Sequence, residues 1–170
     1  LADTNRAAFS GRSTVLTLAS GCHEAVATSM PAGVATEDAI DFLARRADAL
    51  TFRPFAGRVA LHLPCTQRHV VGSVPALRRL LARVPGLDPI PLEAGFGCCG
   101  AAGSAMLTDP ARADGFRAPL LQQLGDSRAM LLLSANIGCR LHLQAGTDVP
   151  VVHPIDFLAG QLDVAARAAQ

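Results

Sequence analysis

Short apolar runs alternate with amphipathic stretches along the chain, and glycine, proline or small polar residues separate them. Apolar runs of strand length lie at residues 15–19, 59–62, 130–133 and 150–153. Stretches with helical periodicity follow several of these runs, and such an alternation is typical of a layered α/β domain. The pattern therefore predicts a small, mostly parallel sheet with helices on both faces.

Three other stretches carry more specific predictions. Two prolines exclude a central strand over residues 89–92 but are compatible with a short edge strand. Residues 36–50 predict a helix with Thr36 as its N-cap, because two carboxylates follow in the first turn. Residues 108–124 predict another helix, which Pro119 is able to interrupt.

A weak internal repeat divides the chain. Residues 14–22 and 131–139 follow one plan: an apolar strand, small polar residues, and then Gly-Cys at the start of a helix. The simplest explanation is a pair of related modules in one larger parent protein. We expect the first module to be represented by its tail alone, and the second to follow a linker that ends at residue 56.

Composition narrows the range of functions. The chain has 170 residues, of which 50% are hydrophobic, enough for one compact α/β domain or slightly more. Its net charge of +1 and its lack of Trp and Tyr argue against a nucleic-acid partner. No apolar run reaches the ~18 residues that predict a membrane span.

Cysteines are the strongest chemical signal. Four of the five lie at predicted strand ends or turns: Cys65, Cys98, Cys99 and Cys139. The ends of parallel strands converge on one edge of a sheet, so four thiolates can face a common centre. Adjacent thiolates suit a centre with several metal ions, such as a [4Fe–4S] cluster, better than a single zinc ion. The cluster is favoured, while zinc and buried free thiols remain alternatives.

Several other residues are candidates for supporting roles. Cys22 is a further ligand or, as the repeat suggests, part of the site of the other module. His62 and His142 lie close in sequence to Cys65 and Cys139, where each can hydrogen-bond a thiolate or tune a metal centre. Asn136 can donate to a sulfur. A histidine that is simply paired with backbone is the plainer alternative for both histidines.

The spaced cysteines resemble a known family. Cys65, then Cys98-Cys99-Gly100, and then Cys139 are similar to the cysteine-rich CCG domain, above all as it occurs in the iron–sulfur subunits of glycolate oxidases. The resemblance implies that residues 1–56 are the tail of a first CCG module with a linker, and that residues 57–170 are a complete second module. Many CCG domains end in Cys-x-x-Cys, whereas this chain has Asn136 at the first of those positions, which leaves four thiolates.

The family also implies a function. It suggests electron transfer in a flavin-dependent 2-hydroxy-acid dehydrogenase of the glycolate type. Electrons would leave an FAD-binding dehydrogenase subunit, pass through this domain and another iron–sulfur domain of the same parent chain, and reach a quinone. The matching expectation is a cytoplasmic protein with peripheral association at the inner face of the membrane.

Two other classes of function remain open. One is a structural zinc module or a metal-free docking module that holds subunits together. The other is thiol–disulfide chemistry of the heterodisulfide type, against which the loss of a thiol at Asn136 argues.

Overall fold

The computed structural model of the chain describes residues 2–93, 95 and 97–164. The glycine-rich stretch before Cys98 includes Ala94 and Phe96, which lie outside the described residues. The same is true of Leu1, at the start of the first predicted module, and of residues 165–170, at the end of the second.

The described strands form two parallel sheets. In the smaller sheet, β1 (Thr14–Thr17) pairs with β2 (Ala35–Asp38). The larger sheet contains β3 (Gly57–Leu61), β4 (Leu87–Pro91), β5 (Leu131–Leu133) and β6 (Val151–Val152), in the order β4-β3-β5-β6. All of its strand pairs are parallel, so each connection must cross over the sheet.

The helices of the described residues are α1 (Ala2–Ala8), α2 (His23–Ser29), α3 (Ala39–Ala44), α4 (Val74–Leu81), α5 (Ala105–Thr108), α6 (Pro110–Ser127), α7 (Ile137–Gln144) and α8 (Pro154–Gln161). In the larger sheet, α4 lies in the first crossover, α5 and α6 lie in the second, and α7 lies in the third. A single π-helical turn, Gln67–Val71, follows β3. Within the described residues, no helix is both long enough and apolar enough to cross a membrane.

The larger sheet has a core on each face. Because successive strand residues point to opposite faces, Val59 and Leu61 contribute to one core and Ala60 to the other. The first core includes buried residues of α3, α4 and α8, and the second includes residues of α6 and α7. The predicted α/β fold, with a parallel sheet and helices on both faces, is therefore confirmed. Cys99 and Cys139 belong to the second core.

Two local predictions need correction. Residues 35–38 form β2 rather than a helical turn, and α3 begins after Asp38, not after Thr36. The Asp38 carboxylate caps this helix by accepting hydrogen bonds from the backbone N–H groups of Ile40 and Asp41, at 3.0 and 3.2 Å.

Helix α6 continues through Pro119 without a break. The predicted edge strand is confirmed as β4.

Candidate metal centre

The larger sheet brings two cysteines to one edge. Cys65 follows the carboxyl end of β3, and Cys139 lies in the first turn of α7, shortly after β5. Asn136 is the N-cap of α7, and its side-chain oxygen accepts a hydrogen bond from the Cys139 N–H at 3.2 Å. Because β3 and β5 are parallel neighbours, both cysteines reach the same end of the sheet.

The Cys98-Cys99-Gly100 turn lies against α6. Cys98 is half-buried, and its sulfur accepts a hydrogen bond from the Gly100 N–H at 3.4 Å, while Cys99 is buried. Gly100 has a φ of +85°, and an added Cβ would lie 2.4 Å from the Ala113 carbonyl oxygen. Only glycine tolerates both this left-handed backbone and this close approach. The turn therefore depends on Gly100 to hold both thiols beside the helix.

Three buried side chains from separate parts of the chain meet at the edge of the sheet. A ring nitrogen of His62 and the sulfurs of Cys99 and Cys139 all lie within 4.8 Å of one another. Nitrogen and sulfur donors at such separations, shielded from water, are a donor set that zinc and iron accept in proteins. Within the part of the chain that the structure describes, this is the cluster of side chains best placed to hold a metal.

The two buried thiols shift each other's pKa in opposite directions. The pKa of Cys99 is lowered to about 7, chiefly because its sulfur accepts a hydrogen bond from the Cys139 thiol. The pKa of Cys139 is raised by the same hydrogen bond, by burial, and by the nearby charges of Cys99, Cys65 and Cys98. Negative charge on the neighbouring sulfurs therefore opposes ionisation of Cys139, and this repulsion disfavours a state in which Cys139 is also a thiolate. A bound metal cation would relieve that repulsion.

A cavity of about 310 Å³ opens beside this centre. It is lined by residues from both Gly-Cys turns and from the loop after Cys99, including Cys22, Cys65, Cys139, Asn136, Ala101 and Gly103. Cys22 and Cys65 are exposed, whereas Cys139 is buried. The fifth cysteine thus faces the same cavity as two of the predicted ligands. Metal ligation by Cys22, Cys65, Cys98, Cys99 and Cys139 stays a prediction.

His62 is buried with one ring nitrogen paired and the other not. Its Nδ1 lies 3.0 Å from the Ser134 hydroxyl, while Nε2 is buried and has no hydrogen-bond partner among the described residues. Burial lowers the pKa of His62 to about 4, and the charge of Arg68 adds to this effect. The Gly97 backbone lies close enough to the ring to oppose the shift, but its contact with Nε2 falls short of the geometry of a full hydrogen bond. The ring is therefore neutral near pH 7. A buried, unpaired polar atom beside two thiols is what a missing bound group would leave.

His142 makes its polar contacts with α6. Its Nε2 lies 3.2 Å from the Ala113 carbonyl oxygen and 4.0 Å from the Asp114 carboxylate. Its own carbonyl accepts a hydrogen bond from the Arg117 guanidinium at 2.6 Å. These contacts attach α7 to α6, so a role for His142 beside a metal stays a prediction.

This geometry agrees with what the comparison with protein families finds. The model of the cysteine-rich CCG domain matches residues 59–144, which are half of the chain and contain Cys65, Cys98, Cys99 and Cys139. The chain belongs to the CCG family.

Curated relatives of this CCG protein are all distant. One of them, a component of the fumarate reductase (CoM/CoB) of Methanothermobacter marburgensis, is 28% identical over 93% of this chain and 34% of its own length. Lactate utilization protein A of Oceanobacillus iheyensis is 29% identical over 61% of the chain and 45% of its own length. The glycolate oxidase iron-sulfur subunit of Escherichia coli is 29% identical over 62% of the chain and 26% of its own length. The chain thus spans less than half the length of each of these relatives.

One polar junction of the CCG protein was not predicted. The Asn136 amide donates to the Thr66 hydroxyl at 3.2 Å, rather than to a sulfur, and the Ser20 hydroxyl lies 2.8 Å from that of Thr66. A Cβ on Gly21 would lie 2.4 Å from the Asn136 amide nitrogen, so this contact also requires glycine. The junction joins the residues before Cys22 to both cysteine turns of the larger sheet.

Proposed function

We propose that this chain holds an iron–sulfur cluster and transfers electrons as a module of a larger oxidoreductase. The observation that carries the proposal is that the sulfurs of the buried Cys99 and Cys139 lie within 4.8 Å of each other. Cys65 lines the same cavity as Cys139, and Cys98 is the neighbour of Cys99 in the chain. Membership in the CCG family and the name of one relative, an iron-sulfur subunit, support it.

The residues present fit such a group. Cys65, Cys98, Cys99 and Cys139 would hold a [4Fe–4S] cluster, which supplies one-electron storage when it is bound. The chain itself performs the remaining tasks. The second core buries Cys99 and Cys139 and excludes water from them, Asn136 orients the turn that carries Cys139, and the α6 contact orients the Cys98-Cys99 turn.

The proposed partners follow from two relatives whose names mention glycolate and lactate, both of which are 2-hydroxy acids. The electron donor is then an FAD-binding dehydrogenase subunit that oxidises a 2-hydroxy acid of the glycolate type, and the acceptor is a quinone. A second iron–sulfur domain of the parent chain lies on the route. The protein acts in the cytoplasm, in peripheral contact with the inner face of the membrane.

The decisive experiment is metal analysis of the chain purified without oxygen. We expect about four iron atoms and a matching amount of acid-labile sulfide per chain, as one [4Fe–4S] cluster requires. Visible absorbance should bleach on reduction with dithionite. In the native complex, glycolate or lactate should cause the same bleaching. A colourless chain that carries one zinc ion and no iron would overturn the proposal.

One observation favours zinc as the second candidate. His62, Cys99 and Cys139 supply the mixed nitrogen and sulfur donors of a mononuclear zinc site. In that case, His62→Gln should abolish zinc binding. A cluster held by four cysteines should retain its iron in the same variant.

A further inference from the structure

Ser134 is a buried polar residue directly after β5, and nothing in the sequence pattern marks it as functional. It has no exposed surface, and its backbone N–H donates to the Val152 carbonyl at 3.1 Å. Its hydroxyl lies 3.0 Å from Nδ1 of His62, and this is the one hydrogen bond that the described residues offer to that hydroxyl.

The direction of this hydrogen bond follows from the protons available. A hydroxyl carries one proton, and a buried proton without an acceptor is costly. Nδ1 of His62 is the acceptor within reach, so the Ser134 hydroxyl donates to it. A neutral imidazole that accepts at Nδ1 carries its own proton on Nε2.

Nε2 is buried, and none of the described residues forms a hydrogen bond with it, although the Gly97 backbone is close enough to oppose the fall in the pKa of His62. The ring lies beside the sulfurs of Cys99 and Cys139, with the distances between donor atoms all within 4.8 Å. A sulfur that carries negative charge is the natural acceptor for such an N–H.

We propose that Ser134 is a positioning residue that holds His62 in its Nε2–H form, so that this N–H donates to the sulfurs of Cys99 and Cys139. The inference rests on the proposed function, because the effect matters when these sulfurs bind a redox-active metal. Hydrogen bonds to the sulfurs of a cluster help to set its reduction potential. A donor stabilises the reduced state, which is the more negative one, and therefore raises the potential.

The first test reads the tautomer without any metal. We would label the metal-free chain with ¹⁵N-histidine and record its NMR spectrum, with the His62 signals assigned by their loss in His62→Gln. Wild-type protein should show the proton of His62 on Nε2. Ser134→Ala should shift the population towards the Nδ1–H form, and Ser134→Thr, which keeps the hydroxyl, should restore the wild-type spectrum.

A matched control is Ser127→Ala. Ser127 is also buried, but it lies at the end of α6 and its hydroxyl donates to the Leu124 carbonyl. This variant deletes the same atom and should leave the signals of His62 unchanged.

The second test measures the reduction potential of the iron-loaded chain. Ser134→Ala should lower the potential by about 59 mV, which is a tenfold change in a one-electron equilibrium, with unchanged iron content. Ser134→Thr and Ser127→Ala should stay near the wild-type value.

Three outcomes separate the possibilities. A wild-type His62 that carries its proton on Nδ1, or equal potentials in Ser134→Ala and Ser127→Ala, would overturn the inference. Absence of iron from every variant would overturn the proposed function instead, and the metal-free spectrum would still decide the tautomer. If Ser134→Ala does not fold, the wild-type and Ser134→Thr spectra decide.

Discussion

The two Gly-Cys turns share a plan in the sequence but end in different surroundings. β5 lies between two strands with a core on each face, and the thiol that follows it, Cys139, is buried against Cys99. β1 pairs with β2 in a two-stranded sheet. Leu16 within β1 is 43% exposed, and Leu18 directly after it is 56% exposed. Cys22 is exposed as well. The repeat therefore predicts the turn, while the layers packed around each turn determine the chemistry of its thiol.

A single cap residue adds to the difference. Asn136 caps α7, so this helix begins before Cys139 and holds it in its first turn. The matching position in the other turn is Ala19, whose methyl group cannot accept a hydrogen bond. There the N-cap is Cys22 itself, without a side-chain hydrogen bond, and α2 begins after it.

The largest expected effect concerns Cys139 and Cys22, the thiols of the two Gly-Cys turns. Cys139→Ser should abolish iron binding, because it removes one of the two buried thiols that we propose as ligands. Cys22→Ser should retain most of the iron. Iron and sulfide analysis of both variants, purified in parallel, checks this. Equal losses in the two would mean that Cys22 is also a ligand, and the contrast between the turns would then not extend to metal binding.

A pair of glycine substitutions tests how much the contact between α6 and the Cys98-Cys99-Gly100 turn contributes to stability. Gly100→Ala introduces a Cβ 2.4 Å from the Ala113 carbonyl oxygen. We expect it to lower the free energy of unfolding by roughly 3 kcal/mol, from backbone strain and overpacking together. Gly103→Ala, with a φ of +66° and nothing within 4 Å, should cost only about 1 kcal/mol. Denaturant titration measures both, and equal costs would show that the contact with α6 is unimportant.

Replacing Asn136 by alanine, the residue at the matching position of the other Gly-Cys turn, should have a smaller effect. Asn136→Ala removes the cap of α7 and the hydrogen bond to Thr66, and should cost about 1–2 kcal/mol of unfolding free energy. Asn136→Asp keeps an oxygen that accepts from the Cys139 N–H but loses the donor to Thr66. It should lie between wild type and Asn136→Ala. A cost as large as that of Asn136→Ala would mean that the Thr66 contact, not the cap, matters.

The smallest effect is a pH dependence at the contact between the two regions. His153 Nε2 lies 2.8 Å from the Leu18 carbonyl oxygen, and its Nδ1 accepts from the Ile155 N–H. Burial lowers the pKa of His153, and the charge of Arg140 lowers it further, although the Leu18 carbonyl and Asp156 oppose the shift. The unfolded chain then binds more protons below pH ~6.5, so stability should fall as the pH decreases through that range.

His153→Asn keeps a capping side chain but does not titrate. Between pH 7 and 5, the free energy of unfolding should therefore depend less steeply on pH in this variant than in the wild type. The two slopes should differ by less than about 1.4 kcal/mol per pH unit, which is the most that one titrating group contributes. Parallel slopes for the variant and the wild type would contradict the assignment.

Local patterns predicted much of the fold, and long-range contacts explain the errors. The two prolines of β4 were sufficient to place it at an edge. Residues 35–38 looked like a helical first turn, but their pairing with β1 makes them a strand and moves the cap from Thr36 to Asp38. Pro119 did not interrupt α6, because burial of Leu120 and Leu124 against the sheet stabilises the helix.

The site was predictable in its cysteines and less so in its surroundings. Glycine-flanked thiols at strand ends pointed to Cys99 and Cys139, and proximity in sequence to Cys65 pointed to His62. Ser134 could not be identified, since it reaches His62 only through the pairing of β3 with β5. The role of His142 beside a metal stays a prediction, because the direction of its side chain depends on how α7 packs against α6.

The ends of the larger sheet have a consequence for assembly. On one side β4 carries Pro89 and Pro91, which have no N–H to donate, and on the other β6 is only two residues long. Neither border offers a neighbouring molecule a full row of main-chain donors and acceptors, so strand-by-strand polymerisation is disfavoured. Contacts at these two borders therefore depend on side chains, in which selectivity is easier to encode than in a repeating backbone ladder.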